Sequence, residues 1–421
     1  SFKTRTNVNF IFTDVEDLDQ ESSTSRHFAE MVRMAESRQG SIILVTQRPV
    51  WSGLSRLGMS ASLDLPTVDE LFDALNGMVD DHRAVVPIEW QYAQIRQAAE
   101  ILSGVTEMEA INVLATMLAN GRLLNTDILE LSVFKDRIFG QLTGIERIKL
   151  KGTYQVGGLR RLKEWLGARE RLMKADLSQT QLRPPKGVLL VGISGCGKSL
   201  SAKAIASQWQ LPLYRMDMSG ILGMYVGQSE AQLREALETA ERVAPCVLWI
   251  DEIEKALATG AGDSGTSRRL IGQFLFWMQE STAKVFMVAT ANDVSSLPPE
   301  LLRKGRFDEL FFVDLPSATD REAILRMYFG SVLGYDLPPD VCQQLVQLSS
   351  GFTGSDIEAV VQDIGVKRFG DPTGAMPTDR EIAAFFRNVV PFSRTNAEEV
   401  AEMRQWGLSR CVPAGDRKSV V

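Results

Sequence analysis

Residues 187–199 read GVLLVGISGCGKS, and the part from Gly192 to Ser199 fits the pattern G-x-x-x-x-G-K-[ST] at every fixed position. An apolar run precedes this loop and a helical sequence follows it, which is the context that a phosphate-binding loop requires. Glycines let backbone N–H groups face phosphate oxygens, and the start of the helix adds partial positive charge. In this pattern Lys198 binds the β- and γ-phosphates, and the Ser199 hydroxyl ligates Mg²⁺. The stretch therefore predicts a nucleotide site whose contacts are Gly192, Ile193, Ser194, Gly195, Cys196, Gly197, Lys198, Ser199 and Leu200.

Around this loop, strand-like and helical segments alternate. Five runs are almost continuously apolar, as expected for parallel strands that helices cover on both faces: GVLLVG, LPLYRMDM, CVLWID, KVFMVATAN and LFFVDLP. Their alternation with helical sequence predicts an α/β fold with a doubly wound, five-stranded parallel sheet over residues 151–316. No strand-like run follows Pro316. We therefore expect residues 317–421 to form an all-α lid domain that ends in a solvated tail.

The segments before the sheet predict two further domains. Residues 1–70 contain the apolar runs VNFIFTDV and SIILVTQ, separated by a helical stretch, which indicates a small α/β unit. The first run ends in Asp14 without a preceding Gly-rich loop, so a plain buried strand is a better interpretation than a magnesium site. We interpret this unit as a degenerate or truncated relative of a nucleotide-binding domain. Residues 71–150 carry apolar residues at helical spacing and no strand run, which predicts a helical connector.

A second motif, CVLWIDEIEKAL, places two acidic residues directly after an apolar run. Asp251 therefore falls at the carboxyl end of a strand, where open parallel sheets bind their ligands. We expect Asp251 to hold Mg²⁺ through water and Glu252 to polarise the attacking water. A solvated strand end is the alternative for an isolated D-E pair, but the phosphate loop favours the catalytic interpretation.

Polar residues after the later strands complete the predicted site. The run VFMVATAND contains Asn292, whose amide can orient water against the γ-phosphate. Further on, LLRKGRFDELFFVDLP supplies Arg303 and Arg306. Exposed arginines are usually only solvated. The position of this pair just past the last catalytic strand instead suggests arginine fingers, which neutralise charge on a transferring phosphoryl group and often come from a neighbouring subunit.

Composition narrows the class of protein. The chain has 421 residues, of which 44% are hydrophobic and 24% charged, and its formal net charge is −7. No stretch approaches the roughly 20 uninterrupted apolar residues of a membrane span, and the acidic balance gives no global basic surface for nucleic acid. The four cysteines and two histidines are scattered, which argues against a His-based metal or triad site and against a disulfide framework. We expect a reduced, cytosolic compartment.

Together these motifs carry a family resemblance. The phosphate loop, I-D-E-I, A-T-A-N, L-R-K-G-R-F-D and G-F-T-G-S-D-I resemble the AAA branch of the AAA+ ATPases, over residues from about 153 to 370. In detail the chain is most similar to the uncharacterised AAA proteins encoded by a conserved reading frame of chloroplasts and cyanobacteria. Those proteins also carry a degenerate N-terminal α/β unit and a helical connector. The resemblance implies a P-loop NTPase fold and a Mg²⁺-dependent ATPase.

The resemblance also implies nucleotide contacts that spacing alone does not give. Val156 and Gly157 fall where AAA proteins contact adenine, and Gly354 and Ser355 fall where the lid touches the nucleotide. At Cys196 the family more commonly has threonine. We interpret this residue as a passive small side chain, because a redox-sensitive thiol needs exposure and a lowered pKa.

The resemblance also implies an oligomeric assembly and a contact with polypeptide. The two arginines would act in trans, which implies a ring, most often a hexamer. In GMYVGQSE, three residues match the aromatic–apolar–Gly loop that lines the central pore of AAA unfoldases: Tyr225, Val226 and Gly227. An aromatic side chain that packs against a neighbouring subunit or on the sheet is the alternative.

The predicted function is ATP hydrolysis by an oligomeric ring that remodels or threads a protein partner. Two alternatives stay open. A ring ATPase acting on nucleic acid is disfavoured by the acidic charge. A slow nucleotide-gated scaffold or switch is compatible with the same catalytic residues, and turnover with and without polypeptide would separate it from a motor.

Overall fold

The computed structural model describes residues 6–13, 15, 17–19, 21–46, 50–61, 63, 65–139, 144–150, 152, 154–175, 177, 180–222, 228–258, 266–294, 296–303 and 305–415. By its internal contacts the chain divides into two compact units, Ser1–Leu65 and Pro66–Val421. Within the described ranges, no helix has both the length and the apolar character that a membrane span requires.

The first unit is a small α/β structure, as its sequence predicted. Its elements are β1 (Asn9–Thr13), α1 (Ser23–Glu36), β2 (Ser41–Val45) and α2 (Ser52–Ser55), with β1 and β2 paired in parallel. Alternate residues of both strands are exposed, so one face of the pair packs on a core that contains Phe28 and Leu54. The unit ends at Leu65 rather than at residue 70, because Thr67 and Glu70 form the capping box that begins the next unit's first helix.

Helices dominate the beginning of the second unit. They are α3 (Val68–His82), α4 (Tyr92–Ile101), α5 (Glu107–Leu118) and α6 (Ile128–Phe139), with a 3₁₀ turn at Asn125–Asp127. Their shared core includes Leu71, Ile95 and the fully buried Trp90, whose indole N–H donates to the Leu124 carbonyl at 2.8 Å. These helices lie in the segment that the sequence predicted as a helical connector.

One prediction for this segment is wrong, because its end contains a strand. β3 (Ile145–Ile148) pairs antiparallel with Leu213–Met216 at the edge of the main sheet. Its four residues read I-E-R-I, so charged residues interrupt the apolar pattern. A short edge strand of this kind produces no apolar run by which sequence could reveal it.

The main sheet follows. Its further strands are β4 (Gly187–Gly192), β5 (Leu213–Met216), β6 (Cys246–Ile250), β7 (Val285–Ala291), β8 (Glu309–Val313) and β9 (Val412–Pro413). The strand order is β3-β5-β6-β7-β4-β8-β9. The five predicted strands are adjacent and parallel, which confirms the doubly wound sheet, while β3 and β9 extend its two edges. The helices of this domain are α7 (Arg160–Lys174), α8 (Lys198–Trp209), α9 (Met218–Leu222), α10 (Gln228–Arg242), α11 (Ile253–Ala258) and α12 (Thr266–Glu280).

Both faces of the sheet are buried, which explains why its strands are apolar throughout. On β6, Leu248 and Ile250 join the core on one face, whereas Val247 and Trp249 join the core on the other. Because β4, β6 and β7 are parallel neighbours, their carboxyl ends meet at one edge of the sheet. The side chains that follow these ends are therefore brought together.

A separate helical lid follows β8. It consists of α13 (Ala318–Leu333), α14 (Pro339–Leu348), α15 (Gly354–Gly370) and α16 (Asp379–Asn388). Capping boxes at Ser317, Thr353 and Thr378 begin three of these helices. Their own core includes Phe329 and Phe386, so the lid is a distinct packing layer.

The segment over residues 392–415 departs from the predicted lid and solvated tail, while residues 416–421 of the predicted tail lie outside the described residues. After α17 (Phe392–Thr395), α18 (Ala397–Arg410) leaves the lid and packs on the sheet domain, where Gly407 lies against the Phe312 ring. The residues after α18 add β9 to the sheet beside β8, and Ala414 is fully buried. Amphipathic spacing showed that α18 has an apolar face, but it does not identify the surface which that face covers.

Candidate nucleotide site

The phosphate loop joins the carboxyl end of β4 to the first turn of α8. Gly192 and Gly195 adopt φ values of 147° and 75°, where side chains are strained. A Cβ atom would lie 2.1 Å from the Val313 carbonyl oxygen at the first position and 3.0 Å from the Thr353 hydroxyl at the second. The loop is therefore closely packed against both the sheet and the lid. Its other residues are partly or fully buried, apart from the exposed Ser194: Ile193, Cys196, Gly197, Lys198, Ser199 and Leu200.

Lys198 is the buried cation of the loop and is only 5% exposed. Its ammonium donates to the carbonyl oxygens of Gly192 at 2.6 Å and Ile193 at 2.8 Å. Burial lowers the pKa of Lys198 to about 8, because surroundings of low dielectric constant disfavour the charged form. A phosphate group in the loop would place an opposite charge beside this ammonium and favour its protonated state.

Oxygen ligands suited to a hard cation meet at the edge of the sheet. The Ser199 hydroxyl donates to Asp251 Oδ1 at 2.7 Å, and the Thr290 hydroxyl donates to the same oxygen at 2.6 Å. Carboxylate and hydroxyl oxygens are ligands that Mg²⁺ accepts, together with phosphate oxygens and water. In the described part of the chain, no group of three or more His, Cys, Asp and Glu side chains forms a ready-made metal site. The oxygens of Ser199 and Asp251 would suit a cation that is also ligated by a bound phosphate.

Glu252 and Asn292, predicted from separate motifs, are in direct contact. The Asn292 side-chain amide donates to Glu252 Oε1 at 2.9 Å. The Lys255 ammonium donates to the other carboxylate oxygen at 2.6 Å, and the Asn292 backbone N–H donates to Glu254 Oε1 at 3.0 Å. Sequence reasoning missed Lys255 and Glu254, although both belong to the quoted motif I-D-E-I-E-K. The carboxylate predicted as the base and the amide predicted to orient water thus lie side by side at the sheet edge that carries the phosphate loop.

The predicted adenine contacts lie between the phosphate loop and the lid. A Cβ at Gly197 would be 3.4 Å from Val156 Cγ1, and a Cβ at Gly157 would be 2.3 Å from Ile324 Cγ1 of α13. The Val156 carbonyl accepts a hydrogen bond from the Lys163 ammonium at 2.6 Å. The segment around Val156 and Gly157 therefore lies beside both the phosphate loop and the lid.

The predicted lid contacts also reach the loop. The Ser355 backbone N–H donates to the Gly195 carbonyl at 3.0 Å, and its hydroxyl donates to the same oxygen at 3.3 Å. A Cβ at Gly354 would be 3.3 Å from that carbonyl oxygen. The N-terminus of α15 is thus placed directly beside the phosphate loop.

Arg303 and Arg306 lie far from these groups within one chain. Arg303 is exposed, and the Arg306 guanidinium donates to the Glu300 carbonyl. The neighbouring Gly305 carbonyl accepts a hydrogen bond from Lys186 at 3.1 Å, which fixes this segment at the amino end of β4. The phosphate loop is at the carboxyl end of the same strand, and a strand of this length spans about 20 Å. The structure therefore does not bring either arginine to the phosphate loop of its own chain.

The predicted pore loop cannot be placed in the same way. Tyr225, Val226 and Gly227 lie outside the described residues, between α9 and α10. Their role stays a prediction from sequence.

Comparison with known proteins identifies the family of the chain. The profile of the "ATPase family associated with various cellular activities (AAA)" matches residues 188–315. The chain is 43% identical over 253 residues to the "Uncharacterized AAA domain-containing protein ycf46" of Pyropia yezoensis, a match that covers 60% of this chain and 51% of that protein. The matched segment therefore spans about half the length of that relative.

Two further comparisons extend the match to nearly the whole chain and to the fold. The protein of the same name from Trieres chinensis is 31% identical over 417 residues, covering 98% of this chain and 82% of the relative. A solved structure, the FIGL-1 AAA domain in complex with ADP, superposes with a TM-score of 0.51 at 22% identity, covering 66% of this chain and 97% of that one. The chain therefore belongs to the AAA family of ATPases, within the group of AAA domain-containing proteins named ycf46.

Proposed function

We propose that this chain is a Mg²⁺-dependent ATP hydrolase that works as an oligomeric ring on a protein partner. The observation that carries the proposal is the contact at the sheet edge, where Asn292 Nδ2 lies 2.9 Å from Glu252 Oε1. A general base and a group that orients water are what γ-phosphate hydrolysis needs next to a phosphate cradle. Membership of the AAA ATPase family supports nucleotide binding and ATPase activity at this site.

Each side chain has a separate role in the proposed reaction. Glu252 accepts a proton from the attacking water, and Asn292 orients both that water and the carboxylate. Lys198 stabilises the negative charge of the β- and γ-phosphates with its buried ammonium. The oxygens of Ser199 and Asp251 would hold Mg²⁺, which neutralises phosphate charge when it is bound.

The two arginines are proposed to act on the site of a neighbouring copy. In its own chain the segment is separated from the phosphate loop by the length of β4, about 20 Å, which an arginine side chain does not span. Arg303 is exposed, so its guanidinium is accessible to another chain. Sites shared between identical copies favour a closed symmetric assembly, and a hexameric ring is the form we propose.

A protein is the proposed partner. The aromatic–apolar–Gly sequence at residues 225–227 supports this choice, since an aromatic ring supplies a large contact area for polypeptide. The formal net charge of −7 disfavours nucleic acid, because binding to the phosphate backbone requires basic groups. The proposed place of action is the cytoplasm, or the plastid stroma in a eukaryote.

The substitution Glu252→Gln tests the proposed chemistry. It removes the base but leaves the phosphate loop, Ser199 and Asp251 intact, so ATP affinity should be unchanged while kcat falls by at least about 100-fold. Equilibrium titration with a fluorescent ATP analogue gives the affinity, and phosphate release gives kcat. Lys198→Ala is the matched contrast, because it should weaken binding itself. Turnover near the wild-type value in Glu252→Gln would refute the role of this carboxylate.

A further inference from the structure

Glu254 is a buried acid that the roles assigned above do not use. It lies in the first turn of α11 and is only 4% exposed. Its Oε1 accepts the hydrogen bond from the Asn292 backbone N–H at 3.0 Å, while Oε2 is buried and has no hydrogen-bond partner among the described residues. A buried polar oxygen without a hydrogen-bond partner lowers the free energy of unfolding. We therefore ask what Glu254 contributes at the proposed catalytic edge of the sheet.

The contacts of Asn292 indicate what Glu254 does. The backbone N–H of Asn292 is bound to Glu254, and the side-chain amide of the same residue donates to Glu252 Oε1 at 2.9 Å. One asparagine is thus held at two points by two acids of the same turn. Glu254 ties the end of β7 to the beginning of α11, and this tie fixes where the amide stands relative to the Glu252 carboxylate.

Charge is not needed for this contact. Burial raises the pKa of Glu254, although hydrogen bonds from the backbone of Asn292 and Asp293 oppose the shift. A neutral carbonyl oxygen accepts the Asn292 N–H as well as a carboxylate oxygen does in geometric terms. Glutamine has the same length and keeps such an oxygen, whereas leucine has a similar size and keeps none.

We propose that Glu254 is a positioning residue for ATP hydrolysis, which acts by holding Asn292 against Glu252. This inference rests on the proposed function, since it assigns a further residue to that same reaction. It goes beyond the motif, because the motif identifies Glu252 as the base and gives Glu254 no role.

The test compares Glu254→Gln with Glu254→Leu in the full chain. Glutamine should keep kcat within about threefold of wild type. Leucine should lower kcat by about 10- to 100-fold, because displacement of a catalytic group by even 1 Å has effects of this size. The Kd for ATP should change less than about threefold in both variants, since the phosphate loop is untouched. Melting temperatures show whether both variants are folded.

A double-mutant cycle separates positioning from a merely structural role. If Glu254 acts through Asn292, adding Glu254→Leu to Asn292→Ala should lower kcat little further. Effects that multiply in full would overturn the inference, and so would an unchanged kcat in Glu254→Leu. If the leucine variant does not fold, Glu254→Asp replaces it in the same cycle, since its shorter side chain cannot reach the Asn292 N–H. If the wild-type chain does not hydrolyse ATP, the proposed function itself is contradicted. That outcome can be told apart from a failure of the role proposed for Glu254.

Discussion

Glu252 has a φ of 49°, in the left-handed region that residues with a side chain rarely occupy. Its backbone N–H donates to the Thr290 hydroxyl at 3.0 Å, and its two carboxylate oxygens accept from Asn292 and Lys255. Backbone conformations of this kind cost on the order of 1–3 kcal/mol and persist where surrounding contacts fix them. Here three contacts, from β7 and from the same turn, fix the residue that we propose as the base.

At the same scale, Cys196 is predicted to be chemically inert despite its place in the phosphate loop. Burial raises the pKa of its thiol to about 12, so the reactive thiolate is nearly absent at neutral pH. At pH 8, iodoacetamide should label Cys196 about 1,000-fold more slowly in the native protein than in denaturant, where the pKa is near its usual value. Between pH 9 and 11 the native rate should still rise with pH while the denatured rate levels off.

Peptide mapping by mass spectrometry measures the labelling of this one cysteine. The variant Cys196→Ser is the matched control and should retain ATP hydrolysis, since we assign the thiol no catalytic role. Native labelling as fast as in denaturant would show an activated thiol and contradict the passive interpretation.

Residue spacing predicted Lys198, Asp251, Glu252 and Asn292, because each follows an apolar strand in a motif with a chemical reason. It did not predict Thr290, although its hydroxyl lies 2.6 Å from Asp251 Oδ1. A threonine within an apolar run is an ordinary strand residue, so nothing in the sequence marks it as polar support for a site. Its contact depends on the pairing of β6 with β7, which appears only in the folded sheet.

The helix α18 shows the same limit of prediction from sequence. The sequence predicted a helix, but the structure shows that this helix packs on the end of β8 and on the phosphate loop rather than completing the lid. Arg404 is paired with Asp314 at 2.7 Å at the end of β8, and Val400 packs with Ile193 of the phosphate loop and with Leu315. Helical spacing reveals an apolar face. Whether that face packs on the lid or on the sheet domain depends on the shapes of those two surfaces.

Gly407 provides a test of this docking. A Cβ at this position would lie 2.1 Å from the buried Phe312 ring, whereas a Cβ at Gly167, in α7, meets nothing within 4 Å. Gly407→Ala should therefore lower the melting temperature by several degrees, because the crowding outweighs the gain in helix propensity. Gly167→Ala should raise it slightly, since alanine favours a helix by up to about 1 kcal/mol over glycine. Calorimetry measures the melting temperatures of both variants. Equal shifts from wild type would show that α18 does not pack on β8 in this way.

The pore-loop prediction for residues 225–227 distinguishes a motor from a nucleotide-gated switch. Tyr225→Ala should leave ATP binding and basal hydrolysis largely unchanged, because the substitution touches no predicted catalytic group. Stimulation of hydrolysis by an unfolded polypeptide should be lost. If the tyrosine side chain instead packs in a hydrophobic core, its truncation would lower the free energy of unfolding by roughly 3–5 kcal/mol. All activities would then fall together with the melting temperature. Retained stimulation in a stable variant would favour the switch.

The proposed assembly rests on the separation of the arginines from the phosphate loop of their own chain. If the arginines act on the phosphate loop of a neighbouring copy, as we propose, ATP hydrolysis requires two copies rather than one. The sequence placed both groups in motifs, but only the strand between them shows that they cannot meet within one chain. Any two variants that damage opposite halves of such a shared site should therefore complement each other.

The decisive measurement is ATP hydrolysis by a mixture of two inactive variants. The double variant Arg303→Ala/Arg306→Ala keeps its phosphate loop, and Lys198→Ala keeps its arginines. When equal amounts are unfolded together and reassembled, half of the copies have an intact loop and half of their neighbours have intact arginines. About a quarter of the wild-type rate should then return at random mixing in a closed ring. No recovery at any ratio, in mixed oligomers verified by differently tagged copies, would contradict a site shared between subunits.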